Sequence, residues 1–344
     1  LSRIATSLLL AILGSLLTLM LKPVSTLIGL MLFGGLWASL ATWLMRDATV
    51  LPLIEPLAAM ILSSVVLLSY RFIIADKDKR YLRQEFSSYV SPNLVEAIID
   101  SPDRSAVTAR HQECSFVFTD LANFTTTVES LDPEVLRTLM SEYIDGMVQI
   151  VFEHDGTLDK VIGDALCIFF SAPIVQADHA QRAVDCALEL DAWSRDYVSR
   201  MNEKGILIGK TRIGVNSGPV VVGNFGGSTM FDYTAYGDAV NTAARLESIN
   251  KQLGTNICVS SKTIEQCKIF VGRPVGNLVL KGKSEKTEAY EPLSETELQS
   301  PAIEAYLEAY GLMASADPNA EAAFAKAAAN FPTDPLIKFH YQRL

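Results

Sequence analysis

Three long apolar stretches stand at the start of this chain and constrain it more than any other feature. They run from Ile4 to Leu21, Val24 to Met45 and Thr49 to Tyr70, and between Ile4 and Tyr70 the only charges are Lys22, Arg46, Asp47 and Glu55. A bilayer core takes about 20 apolar residues of helix, so each stretch reads as a membrane span. Lys22-Pro23 closes the first, and Arg46-Asp47 with Pro52, Glu55 and Pro56 marks the second break. Glu55 is expected in the outer interfacial turn of the third span. A buried hairpin of a soluble protein would have to supply three such stretches in a row, and a signal peptide would explain one and leave two.

The densest basic cluster, Arg71, Lys77, Lys79, Arg80 and Arg83, follows the third stretch. By the positive-inside rule it faces the cytoplasm, and an odd number of spans then puts Leu1 outside. The expected location is the cell membrane, multi-pass, with everything after the spans cytoplasmic. Because the chain starts at Leu1 without an initiator Met, a part that preceded it, including an extracellular sensor domain, is expected to be missing.

Beyond Arg71 the composition becomes that of an ordinary soluble domain, although 49% of the whole chain is hydrophobic. Leu82, Phe86 and Tyr89 recur at helical spacing, and Ser91-Pro92 reads as the cap and first residue of another helix carrying Leu94, Val95, Ile98 and Ile99. This connector is suited equally to pairing with its twin in a dimer and to serving as an inert linker. The net charge is −10, and no Lys/Arg block could neutralise a run of phosphates, so a nucleic-acid binder is excluded. Cys114, Cys167, Cys186, Cys258 and Cys267 lie too far apart for a zinc or C-x-x-C redox site, and His111, His154, His179 and His340 show no metal-ligand spacing. Four regions are therefore expected: a three-helix anchor over 1–75, a signalling connector over 76–109, a catalytic domain over 110–293 and a helical tail over 294–344.

The third region alternates strand-like and helix-like patterns. Cys114 to Thr119 reads as a strand ending at Asp120, Pro133 to Phe152 as a helix, and Thr157 to Phe170 as two strands folded at Gly163-Asp164. Asp178 to Ser199 is helical, Thr211 to Val222 strand-rich and Gly237 to Asn250 helical. This is a βαββαβ order, an α+β, ferredoxin-like plan with helices on one face of an antiparallel sheet. A right-handed crossover makes the strand after the first helix parallel to the first strand. The tip of the following hairpin and the end of the first strand then share an edge, and Asp120 and Asp164 converge there. Two such carboxylates suit divalent cations held by oxygen, Mg²⁺ being usual beside phosphates, whereas either Asp alone would more often be a turn residue. The segment Thr119 to Thr125 leads from strand to loop, where backbone N–H groups can meet phosphate oxygens. Asn241 and Arg245 stand four apart on one helix face, suited to a ribose and a phosphate or, as a lone pair, to a solvated surface.

The motifs F-T-D-L-A-N-F-T (Phe118 to Thr125), K-V-I-G-D-A (Lys160 to Ala165), R-I-G-V-N-S-G-P-V-V-V-G (Arg212 to Gly223), D-Y-T-A-Y-G-D-A-V-N-T-A-A-R-L-E (Asp232 to Glu247) and L-K-G-K (Leu280 to Lys283) resemble the class III adenylate cyclases in order and spacing. The resemblance covers roughly 110 to 292. Phe86 to Pro92 is similar to the transducing segment before many bacterial members, and the anchor resembles those that follow an extracellular CHASE-type sensor.

The resemblance implies that Asp120 and Asp164, with Leu121 beside them, hold two Mg²⁺ (or Mn²⁺). It makes Lys160 the donor to a ring nitrogen of adenine and Thr234 the partner of the exocyclic amino group. Asn241 would orient the ribose and Arg245 stabilise the transition-state phosphate, while Arg212, Lys281 and the backbone of Asn123, Phe124 and Thr125 would contact the phosphates. It also implies a homodimer with shared sites, converting ATP to 3′,5′-cyclic AMP and pyrophosphate. Two positions depart from common patterns: Asn123 stands where many relatives have Gly, and Thr234 where animal enzymes often have Asp.

Pro301 to Leu344 is helical and Ala-rich, reminiscent of a single tetratricopeptide-like helix pair that must pack on the catalytic domain or its partner. Three readings stay open: an adenylate cyclase, a guanylate cyclase, and a catalytically silent membrane receptor. Lys160 and Thr234 oppose the second, and the full set of metal and phosphate residues opposes the third. A polymerase-palm nucleotidyltransferase shares the sheet plan but has no need of Asn241 and Arg245 at helical spacing.

Overall fold

A computed structural model describes residues 2–344 apart from Lys22, 45–51, 87–92, 96–106, Ser228 and Ser284. The chain divides into two compact units, Leu1–Glu85 and Phe86–Leu344.

The first unit holds α1 (Ser2–Met20), α2 (Pro23–Leu44) and α3 (Ile54–Phe86). Two of its segments, Arg3–Met20 and Val24–Leu44, are long and apolar enough to cross a membrane. Only 17% and 11% of those segments are buried, which is the opposite of what a soluble core hairpin requires. The expected third span is corrected. Residues 49–51 lie outside the described ones, Pro52 and Leu53 are not helical, and the apolar part of α3 covers only Ile54–Tyr70. Those 17 residues make about 25 Å of helix, short of a core of about 30 Å. The helix then continues without a break to Phe86, across the expected boundary between anchor and connector. α1 and α3 start at the same end, where Arg3 lies 3.7 Å from Glu55. They touch closely because Gly14 has no side chain: a Cβ there would stand 2.6 Å from Met60 Cγ.

In the second unit the order is β1 (Arg110–Leu121), α4 (Phe124–Ser130), α5 (Pro133–Glu153), β2 (Thr157–Ile162), β3 (Ala165–Phe170), α6 (His179–Glu203), β4 (Thr211–Asn224), β5 (Tyr233–Tyr236), α7 (Asp238–Leu253), β6 (Ile257–Ser260), α8 (Ser261–Ile264), β7 (Gly272–Leu278), β8 (Thr287–Pro292), α9 (Glu295–Leu298), α10 (Pro301–Ala314), α11 (Ala320–Asn330) and α12 (Pro335–Tyr341). Ser91, Pro92, Ile98 and Ile99 of the expected connector helix lie outside the described residues. Leu94 and Val95 are helical and buried.

The strands form one mixed sheet in the order β2-β3-β1-β4-β6-β8-β7, with β5 paired to the far half of β4. All pairings are antiparallel except β4 with β6. Alternate residues of a strand point to opposite faces, and here both faces are apolar. Val117, Leu121, Ile213 and Val215 join one core with Tyr143, Met147, Leu190 and Tyr197 of α5 and α6. Cys114, Phe116, Val220 and Val222 join another with Ala239 and Ala243 of α7. Helices thus cover both faces, not one as the sequence pattern led us to expect. Gly214 is the physical reason, since a Cβ there would stand 2.1 Å from Glu247 N, so only glycine lets α7 lie directly on β4.

The tail opens with the short α9 and continues from Pro301 as three helices, α10 to α12. Tyr306, Phe324, Leu336 and Ile337 share a core with Val275, Leu278 and Ala289 of β7 and β8 and with Leu246 and Leu253 of α7. The sequence described this tail as a helix pair.

Candidate active site

The site lies on the face of the sheet that carries α7. Asp120 and Arg212 are cross-strand neighbours on β1 and β4, and their side chains meet as an ion pair. On its other side the Arg212 Nε lies 3.0 Å from Glu247 Oε1 of α7, close but not aligned as a hydrogen bond. Burial pushes the Glu247 carboxyl up, and the neighbouring Asp120 charge adds to that.

Asp164 sits at the tip of the β2–β3 hairpin, where Gly163 takes a φ of 66°, a left-handed conformation that glycine adopts without strain. Its Oδ2 accepts from the Leu121 N–H at 2.9 Å. Asp120 and Asp164 therefore share one sheet edge, where the strand topology directs them. Burial raises the Asp164 carboxyl, with the Leu121 N–H pulling the other way. The Leu121 N–H is thus already engaged, and that of Ala122 is donated to Lys210 O at 2.9 Å. Asn123 takes a left-handed φ of 61° and starts α4, so Phe124 and Thr125 open a short helix, not a loop.

Among the described residues no group of three or more His, Cys, Asp and Glu could hold a metal unaided. Two carboxylates and a strand-end carbonyl at Leu121 are nevertheless the hard oxygen donors that Mg²⁺ accepts, with waters and substrate phosphates filling its remaining positions.

Next along this face is a pocket of about 280 Å³ lined by Phe118, Asp159, Lys160, Thr234, Tyr236 and Asn241, among others. Lys160 is exposed on β2, Thr234 is buried on β5, and Asn241 is exposed on the second turn of α7. Asp120 and Asp164 do not line this pocket. One turn after Asn241, Arg245 reaches the Leu280–Lys283 turn: a Cβ at Gly282 would stand 3.5 Å from Arg245 Nη2. Lys283 fastens that turn to the start of α7 through Asp238 at 2.7 Å, and Lys281 is exposed within it. The structure therefore makes two groups of the expected residues. Asp120, Asp164 and Arg212 form one; Lys160, Thr234 and Asn241 form the other, with Arg245 and the Lys281 turn beyond.

Residues 106–291 match the family of adenylate and guanylate cyclase catalytic domains. The chain belongs to this family. It is 37% identical over 207 residues to adenylate cyclase 1 of Rhizobium meliloti, a match covering 60% of this chain and 31% of that protein. It is 28% identical over 228 residues to the adenylate cyclase of Anabaena cylindrica, covering 63% of this chain and 42% of that one. Its fold is similar to the crystal structure of the adenylyl cyclase CyaB from P. aeruginosa, with a TM-score of 0.51 and 30% identity over 55% of this chain and 97% of that chain. The chain spans less than half the length of these curated relatives.

Sequence reasoning passed over two residues in this cyclase domain. Asp159 lines the pocket beside Lys160, and Glu247 ties α7 to Arg212. Their only signals were adjacency to Lys160 and a place at the end of the long Asp232–Glu247 motif.

Proposed function

We propose that this chain is an adenylate cyclase, converting ATP to 3′,5′-cyclic AMP and pyrophosphate at sites shared between two copies, and that its apolar helices anchor it in a membrane with the catalytic domain cytoplasmic. The observation that carries this reading is the pocket in which Lys160, Thr234 and Asn241 come together. Lys160 has only hydrogens to offer and suits the bare N1 of adenine, whereas guanine carries a hydrogen there. Asn241 orients the ribose, and Arg245 one turn away meets the charge that grows on the α-phosphate. Arg212, held between Asp120 and Glu247, and Lys281 contact the polyphosphate. The 3′-oxygen forms the new bond to the α-phosphorus as the bond to pyrophosphate breaks, and the hydroxyl proton leaves to water. Two divalent cations at Asp120, Asp164 and Leu121 would supply positive charge to the 3′-oxygen and the phosphate oxygens.

Sharing between copies is supported by the separation of the two groups. The base pocket is not lined by the metal carboxylates, and its rim is apolar and open, with Ile162 60% and Tyr236 59% exposed. An open apolar rim is what a partner surface covers. A symmetric pair then completes two identical composite sites.

Two assays test this. Incubation of the chain with ATP or GTP and Mg²⁺ or Mn²⁺ identifies the cyclic product; cyclic GMP as the main product overturns the base assignment. Asp120→Asn and Arg245→Ala homodimers should each lose on the order of 10²-fold or more in rate. When the two are mixed, half of the pairs are mixed and keep one intact site, so activity returns to roughly a quarter of wild type. No recovery, with mixed pairs shown to form, means that each chain builds its own site.

A further inference from the structure

A β-bulge interrupts the β2–β3 pairing at one place. Leu158 pairs with Ile168 and Lys160 with Cys167, so Asp159 is the extra residue between them. A bulge re-aims the side chain it carries. Here a carboxylate is turned inward on an edge strand: the Asp159 side chain is only 6% exposed, with Lys160 Nζ 3.7 Å away. Its Oδ2 accepts from the Thr234 hydroxyl at 3.2 Å and from Cys167 Sγ at 3.3 Å, and its Oδ1 is buried without a hydrogen-bond partner. Burial disfavours the charged form of this group, and Lys160 beside it opposes that effect. Burying a carboxylate beside a binding pocket is costly, and nothing in the sheet itself requires an acid there.

We propose that Asp159 is a positioning residue that sets base specificity by fixing the direction of the Thr234 hydroxyl. This rests on the adenine reading of Lys160 and Thr234. A hydroxyl has one hydrogen and two lone pairs, and an ionised carboxylate only accepts. Bonded to Asp159, Thr234 spends its hydrogen on the carboxylate and presents lone pairs to the pocket. Those lone pairs accept from the amino group at position 6 of adenine. They repel the carbonyl oxygen that guanine carries at the same position, and no second hydrogen is available to satisfy it. Thr234 without Asp159 could turn its hydrogen either way and would serve either base. The discrimination therefore belongs to the pair.

The test is the ratio of kcat/KM for ATP to that for GTP, measured on one preparation of the full chain so that the active fraction cancels. Asp159→Ala should lower the ratio about 10- to 100-fold, leaving whatever preference Lys160 enforces. The isosteric Asp159→Asn should lower it as well, because an amide can turn to accept or to donate; it serves if the alanine variant folds poorly. Thr234→Val, which has no hydroxyl, should lower the ratio, and adding Asp159→Ala to it should change nothing further. Binding of non-cyclisable ATP and GTP analogues to the same variants gives the ratio independently of turnover. A wild type that prefers ATP, with a ratio unmoved in both Asp159 variants, overturns the proposal and leaves the adenine reading standing. An effect of Asp159→Ala that is as large in the Thr234→Val background also overturns it, since Asp159 would then not act through Thr234. A wild type without preference for ATP sinks the adenine reading itself, and this inference with it.

Discussion

Replacing Arg273 with Leu should loosen the C-terminal helices and, through them, the helix that carries Asn241 and Arg245. The Arg273 side chain is 4% exposed and bonds two carboxylates, Glu291 at 2.6 Å and Asp334 at 2.7 Å. Its guanidinium also stands 4.8 Å from the centre of the Tyr306 ring. The group thus links β7, β8, α10 and the start of α12, where Asp334 additionally caps the helix by accepting from Ile337 N at 2.9 Å. Removing one member of a buried ion pair costs about 3 to 5 kcal/mol, because the partners keep their charge and lose its compensation. Here two carboxylates would be left facing each other. The Glu291 carboxyl, already raised by burial, would take up a proton and soften the loss. For a domain of this size about 3 kcal/mol corresponds to roughly 10 °C in Tm. Hydrogen exchange on the solubilised chain should show the loss of protection concentrated in α10 to α12 and the last turns of α7. Converting the whole group, Arg273→Met with Glu291→Gln and Asp334→Asn, should restore most of the stability, since no charge is stranded and the cap survives. A shift below about 2 °C for Arg273→Leu, with protection unchanged, would show that the tail is not held through this group.

With Arg3–Met20 and Val24–Leu44 as the two spans, reporters fused before Ile4 and after Arg83 should both be cytoplasmic; reporters on opposite sides would mean that Ile54–Tyr70 crosses as well. His340 is buried among Tyr306, Phe324 and Phe339, and that burial holds its pKa down from 6.5 to about 4. The unfolded chain therefore takes the proton first, so this group's penalty is nil above about pH 6.5, grows to ~3 kcal/mol as pH falls to about 4, and grows no further below. His340→Phe should flatten the melting curve of Tm against pH in that window relative to wild type; identical slopes would mean that the imidazole is solvated.

How much was legible in the sequence depended on whether a residue's neighbours are set by periodicity or by an irregularity. The Asp120 and Asp164 edge follows from strand order alone, and the Leu121 N–H bond to Asp164 is its consequence. The third apolar run was overcounted because hydropathy does not register that Pro52 and Leu53 stay outside the helix. The second helical face of the sheet was missed because its cause is a single small residue, Gly214, meeting α7 across 33 residues of sequence. Asp159 was invisible for a similar reason. A bulge shifts the register of one strand, and no alternation of apolar and polar residues announces it. Arg212 entered the sequence reading only through the family resemblance, and its ion pair with Asp120 and approach to Glu247 depend on two other elements that no motif specifies.

Thr234 and Arg245 stand on the edges of two different cores, and this decides which changes should disturb each. Thr234 lies between Tyr233 and Ala235, which pack with Leu94, Phe116, Phe169 and Val220. Arg245 is followed by Leu246, which packs with Phe324, Leu336 and Ile337 of the tail. Cores are close-packed and transmit a misfit of even a methylene, so a cavity at Leu94 is felt first at Thr234 and a cavity at Leu336 first at Arg245. Asp120 and Arg212 are less exposed to either route, because the twelve-residue ladder of β1 on β4 fixes their register. Core lesions should therefore separate the disturbance of Thr234 from that of Arg245, with the Asp120–Arg212 pair moved least by either.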